Sequence, residues 1–335
     1  MKPSEAAKNA LVSVLEAQPS ERILITCDDE KAEIGEAFAQ GALARGLWTR
    51  LLFLKTSEGK VRSEPPPELV EIIMAQRPDI YINIMRGMGE ETVFRVMTIS
   101  LETRGKKARL GHCPGVTLDM LTSGALALTT DEHRRMQNFA VQLMQTLADA
   151  TKVEVTNPAG TRLSFSAENR LFFTDTKLDW REMKWMNLPT GEVIVAPVED
   201  SLEGKLVCDV SIGGIPELLK TPLEITAKAG RAVSVTSKDK NVLAKVKDWL
   251  ATDDWSDIVG EFAFGINPKA RLIREFLEAE KVHGTTHIAF GHNLDFPSGK
   301  NPSKNHLDFL MSKPTVKVTN REGKTITVLQ GGKFK

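Results

Sequence analysis

The sequence predicts an α/β protein: an N-terminal parallel-sheet α/β domain followed by a mostly β C-terminal domain. Three observations carry this. Before residue 150, short continuous apolar runs alternate with helical stretches, as a parallel sheet covered on both faces requires. After residue 151 the apolar segments come in pairs joined by Gly-, Pro- and Asn-containing turns, the pattern of antiparallel hairpins. The length, 335 residues, suits two domains better than one; we expect them at 1–150 and 151–335.

The elements follow in order. Met1 to Ser20 has helical spacing interrupted by Glu5, Lys8 and Glu16. Arg22 to Cys27 is a strand, Lys31 to Arg45 a helix closed by Gly46, and Leu51 to Leu54 a second strand. Pro65-Pro66-Pro67 opens a helix at Glu68 to Gln76, and Ile80 to Ile84 is a third strand. The apolar spacing from Asp131 to Thr151 (Met136, Phe139, Leu143, Leu147) predicts a long helix that closes the first domain. Val153–Thr156 and Arg162–Phe165 flank Asn157-Pro158-Ala159-Gly160 as a hairpin. Strands follow at Val193–Ala196, Lys205–Val210, Leu223–Ala227 with Ala232–Thr236, and Thr315–Thr319 with Thr325–Leu329. Two helices interrupt them, at about Asn241–Ala251 and Ala270–Glu280.

Composition narrows the function classes. The chain is 41% hydrophobic and 26% charged, ordinary for a globular protein. Lys+Arg and Asp+Glu are equal at 44 each, so no global field draws in nucleic acid or an anionic membrane. The basic stretch Lys238–Lys247 carries Val242, Leu243 and Val246 and reads as a solvated amphipathic helix. Cys27, Cys113 and Cys208 form no C-x-x-C and cannot all pair, which fits a reducing compartment. No secretory h-region opens the chain and no run approaches the ~20 apolar residues of a membrane span. A cytoplasmic location is expected.

The familiar nucleophile and phosphate motifs are absent: there is no G-x-S-x-G, no P-loop and no G-x-G-x-x-G after a strand. Gly87-Met88-Gly89-Glu90 reads as a plain βα turn. His112 and Cys113 are adjacent in an extended segment, so they face opposite ways and make a poor nucleophile–base pair. The histidines say more. Of six, four fall between 283 and 306: His283, His287, His292 and His306. In His306-Leu307-Asp308, residues i and i+2 of a strand face one side, so one strand can offer an imidazole and a carboxylate to one ion. In Thr286–Gly291, His287 shares a face with the small residues Ala289 and Gly291, which suggests a site wall. His292 faces the other way and His283 lies in the preceding turn. Glu192 and Glu261 each follow a glycine and lead into an apolar strand, where a buried carboxylate needs a partner. Taken singly, His306 with Asp308 and each of the two glutamates are better explained by exposed strand ends.

Taken together, Asn187-Leu188-Pro189-Thr190-Gly191-Glu192, Gly260-Glu261 with Asn267-Pro268, His287-Ile288-Ala289-Phe290-Gly291 and His306-Leu307-Asp308 resemble the aminopeptidase T family of metallopeptidases. The motifs reach from about 187 to 310, and the α/β half carries none of them. The resemblance implies a metallo-aminopeptidase with a C-terminal metal-binding domain and two divalent ions (Zn, Co or Mn). Glu192, Glu261, His287, His306 and Asp308 would be the ligands. It further implies a short peptide substrate and a homodimer; for the mechanism, Glu192 is expected as a bridging or primary ligand and Glu261 as a ligand that also moves a proton. The chain departs from the family where a tyrosine often follows the first histidine: that place falls near Leu294, and the one tyrosine is Tyr81. Ring-opening dihydroxypyridine dioxygenases resemble the chain too. They imply a single Fe(II) held by two histidines and one carboxylate, but as peptidase identities stand at Glu192, Glu261 and His287, the hydrolase reading is preferred. A binding protein with structural His and acidic residues is the third reading, and it predicts that the five side chains scatter.

Overall fold

In the computed structural model, which describes all residues except 58 and 216, the first apolar run is a strand over Arg22–Asp28, buried from Ile23 onward. It pairs in parallel with Trp48–Leu54 on one side and Ile80–Met85 on the other. Arg109–Pro114 and then Trp185–Asn187 extend the sheet, also in parallel. The central strand Ile80–Met85 is buried at every position, as a strand covered on both faces must be. The connecting helices include Ala32–Arg45, Pro67–Gln76 and Thr92–Glu102. Gly46 ends the first of these at φ 84°, its N–H donating to the carbonyls of Ala42 and Leu43. That left-handed position costs a glycine nothing.

The second half is antiparallel. An eight-stranded sheet runs in the order 231–237, 223–228, 203–208, 162–166, 150–156, 315–320, 325–330, 333–334. A six-stranded sheet runs 211–212, 306–311, 286–291, 259–265, 192–195, 173–174. The five residues expected to hold metal all lie on the second of these. The α/β class and the parallel-then-antiparallel order are as the sequence predicts.

The helix expected to Thr151 ends at Leu147, and Ala150–Thr156 is a strand. Thr151, Val153 and Val155 are β-branched, and that strand pairs on both sides, with 162–166 and 315–320. Ladder pairing on both edges overrides the helical spacing of the last turn. The helix expected over Ala270–Glu280 shrinks to Phe276–Ala279. Asn267 Oδ1 accepts from the N–H groups of Lys269 and Ala270, and the Arg271 backbone N–H and Nε both donate to Glu278 Oε1 at 3.0 and 2.8 Å. These bonds fold 268–275 into a loop and compete with helix formation.

By contacts the chain groups as residues 1–137 with 175–190, and 138–174 with 191–335. One line between these groups falls inside the Thr130–Leu147 helix, and 175–190 returns to the first unit. It does so because Trp185–Asn187 adds a strand to the parallel sheet.

Candidate metal centre

Alternation along four adjacent strands builds the site. Val193, Val195, Phe262, Phe264, Ile288, Phe290, Leu307 and Phe309 are all buried apolar side chains. Phe262 packs on Phe165 and Phe264 with ring centroids 5.1 and 4.9 Å apart. Burying each phenylalanine is worth about 2 kcal/mol, so the register is strongly specified and the intervening residues are committed to the opposite face. Those residues are Glu192, Glu261, Ala263, His287, Ala289, His306 and Asp308. Small residues sit where room is needed: Ala263 pairs with His287, and Ala289 with both Asp308 and Glu261.

The two Gly-Glu steps have separate physical reasons. Gly260 is the extra residue of a β-bulge, the register shifting between Val259 and Glu261 against a partner that advances by one. A Cβ on Gly260 would lie 2.4 Å from the Gly291 carbonyl oxygen. The bulge re-aims Glu261 onto the face shared with the histidines. Gly191, at φ 139°, brings the backbone against Asn267, whose Cβ would lie 2.5 Å from an added methyl; the Ile266 N–H donates to the Gly191 carbonyl at 2.8 Å. That contact sets where Glu192 enters its strand.

All five expected side chains converge. His287 Nε2 lies 3.2 Å from Glu261 Oε1, 3.6 Å from Glu192 Oε1 and 3.8 Å from Asp308 Oδ1. His306 Nε2 lies 3.0 Å from Glu261 Oε2 and 3.2 Å from Asp308 Oδ1. Glu261 thus stands between the two imidazoles, one oxygen to each. The cluster is deepest at His287, 1% exposed, and opens at His306, whose side chain is 31% exposed.

The His306 tautomer is set from outside the cluster. His306 Nδ1 lies 2.8 Å from the His292 carbonyl; donating there leaves Nε2 as a lone-pair donor toward a metal ion. Burial works against charge on His306, but Asp308 and then Glu261 raise its pKa well above the ordinary imidazole value. Burial likewise opposes charge on His287, and Glu261, Asp308 and Glu280 override it and raise that pKa too. Glu261 is the mirror case: burial would push it up, yet the two histidines hold it well below the usual carboxylate range.

Two members went unseen in the sequence, Glu280 and Lys281. Glu280 joins His287 and Asp308 in one group of donor atoms within 4.8 Å of each other. Burial pushes its carboxyl up to about 8. Lys281, 2% exposed, forms ion pairs with Glu192 and with Glu280, the latter at 2.9 Å. Read as residues, Glu278–Lys281 is a charge run at the end of a helix, and nothing in that run marks a buried pair.

His283 and His292 stand outside these groups. His283 packs against Phe139 and Phe334 at 5.6 and 5.0 Å; His292 pairs with Asp295 at 3.4 Å and contacts the Ser303 carbonyl. Leu294 is half exposed. His112 is buried in the parallel sheet, burial and then Arg95 pushing its imidazole down to about 3. Cys27, Cys113 and Cys208 are all buried free thiols.

The donor set fits a divalent cation. Glu192, Glu261 and His287 form one group of donor atoms within 4.8 Å of each other, and Glu261, His306 and Asp308 a second. Carboxylates brought this close in a buried site repel unless a cation lies among them. Imidazole and carboxylate without thiolate suit Zn, Co, Mn or Fe.

A family model described as thermophilic metalloprotease (M29) matches residues 129–334, more than half of the chain. Among solved structures, wild-type AmpT from Thermus thermophilus superposes with a TM-score of 0.73 at 18% identity, over 99% of this chain and 98% of that one. The 2,5-dihydroxypyridine dioxygenase from Pseudomonas putida KT2440 superposes with a TM-score of 0.72 at 16% identity, over 99% and 96%. At these identities the two likenesses concern the fold. No curated protein sequence matches.

Proposed function

The chain belongs to the thermophilic metalloprotease (M29) family, and from that premise we propose that it is a metal-dependent aminopeptidase acting on short peptides. The observation that carries the reading is Glu261 set between His287 and His306 at 3.2 and 3.0 Å, with Asp308 and Glu192 beside them. Glu261, His306 and Asp308 would hold a divalent ion, with His287 and Glu192 completing the surroundings. A bound ion supplies an acidified water and polarises the scissile carbonyl.

The protein's own residues do the rest. Glu261, with one carboxylate oxygen toward each imidazole, can take a proton from the attacking water and pass it to the leaving amine. His306 is kept in one tautomer by the His292 carbonyl. The acidic surplus of Glu192, Glu261, Glu280 and Asp308 suits the cationic α-amine of a free peptide N-terminus. The buried, alanine-lined floor limits the water that competes for these groups.

A second reading draws on His287, His306 and Asp308, which are a two-imidazole, one-carboxylate set of the kind used by iron oxygenases. One comparison separates them. Aminoacyl arylamides with free and with acetylated amines are offered to the purified protein, alongside a dihydroxylated pyridine under an oxygen electrode. Cleavage of the free substrate alone, lost on chelation and restored by Co(II) or Zn(II), is expected. Equal cleavage of both arylamides rules out an aminopeptidase, and iron-dependent oxygen uptake without peptide cleavage establishes the second reading instead.

A further inference from the structure

Lys281 brings its side-chain nitrogen into a cluster of carboxylates and imidazoles, paired with two of the carboxylates. Its backbone is pinned: its N–H donates to the Glu278 carbonyl, and its carbonyl accepts from the Asn267 N–H at 2.9 Å. Asn267 is the residue against which Gly191 packs, so the lysine is tied to the start of the strand that carries Glu192. At 2% exposure the side chain is shut off from solvent, and its ammonium bridges Glu192 and Glu280.

We propose that Lys281 is a resident cation standing in for a second metal ion, so that the centre binds one divalent ion, held by Glu261, His306 and Asp308. This rests on the metal-dependent reading above and specifies its stoichiometry. Glu192 belongs to the donor group that His306 and Asp308 do not share, and the ammonium already engages it. Charge points the same way. Four carboxylates, one ammonium and one divalent ion leave a single negative charge, which the α-ammonium of a peptide neutralises. A second ion would make it positive and would repel the very group an aminopeptidase must hold.

The test is metal content by elemental analysis after saturation with Zn(II) and removal of the excess, joined to an anomalous-difference map of zinc-loaded crystals. Wild type and Lys281→Arg are expected to bind one zinc per chain, and Lys281→Met two, because Glu192 and Glu280 are then released to hold another. In the wild-type map a single peak beside Glu261, His306 and Asp308, with Nζ still on Glu192, is expected even if Lys281→Met fails to fold. Two peaks with the lysine displaced, or one zinc in a folded Lys281→Met, overturn the proposal while leaving the metalloenzyme reading intact. Absence of zinc from the wild type overturns both.

Discussion

Replacing Glu261 by Gln probes the centre at the point where its interactions meet. The side chain keeps its shape, but the charge between two imidazoles at 3.2 and 3.0 Å disappears. At these separations each charge pair is worth several kcal/mol even at an effective dielectric near 20, and Glu261 is only 4% exposed, so bulk water does not dilute the loss. In the metal-free protein the histidines relieve it by shedding protons, so the fold is expected to survive with little change in Tm. In the loaded protein there is no such escape, because an anionic ligand has become a neutral one. Metal affinity should fall by at least ~100-fold, and kcat/KM by about 10²–10⁴ through loss of the proton carrier, or roughly 3–5.5 kcal/mol of transition-state stabilisation. The assays are zinc competition with a chromogenic chelator and arylamide hydrolysis at saturating metal. Retention of wild-type affinity and of kcat/KM within threefold would refute the assignment of Glu261 to the metal centre. Lost peptide cleavage with unchanged affinity would confine it to the proton step.

Two further outcomes are expected. Gly260→Ala forces a Cβ to 2.4 Å from the Gly291 carbonyl oxygen; overpacking of this kind costs about 1–3 kcal/mol, and urea unfolding should show that loss together with weaker metal binding, whereas unchanged values for both would show the bulge to be dispensable. At the end of the Thr92–Glu102 helix Glu102 is fully buried, and burial raises its carboxyl to about 8 despite a 2.6 Å bond from Asn83 Nδ2 in the parallel sheet. The folded state therefore holds a proton that the unfolded chain releases near its ordinary 4.5, so stability declines as pH rises from there toward 8, approaching ~1.4 kcal/mol for each pH step of one. Glu102→Gln should flatten the Tm profile between about pH 5 and 8, and a slope identical to wild type would count against this account.

Much of this protein is legible residue by residue. Continuous apolar runs such as Ile80–Ile84 predict the buried parallel strands, because a strand covered on both faces has no polar position to spare. The i, i+2 spacing of His306 and Asp308 places them on one face, since side-chain direction in a strand is fixed by local backbone geometry. Other features depend on what packs where. Thr151 leaves its expected helix because the strand it lies in, Ala150–Thr156, is paired on both sides, and Ala270 and Arg271 leave theirs because Asn267 and Glu278 take up their N–H groups. The bulge at Gly260 is a relation between two strands, invisible in either. Glu280 and Lys281 show the boundary most plainly: as a sequence they are a solvated charge pair, and only the fold excludes water from them. Burial turns an ordinary Glu-Lys step into a water-excluded ion pair with Glu192, because the strength of a charge depends on the dielectric around it, a property of the tertiary structure that no run of residues contains.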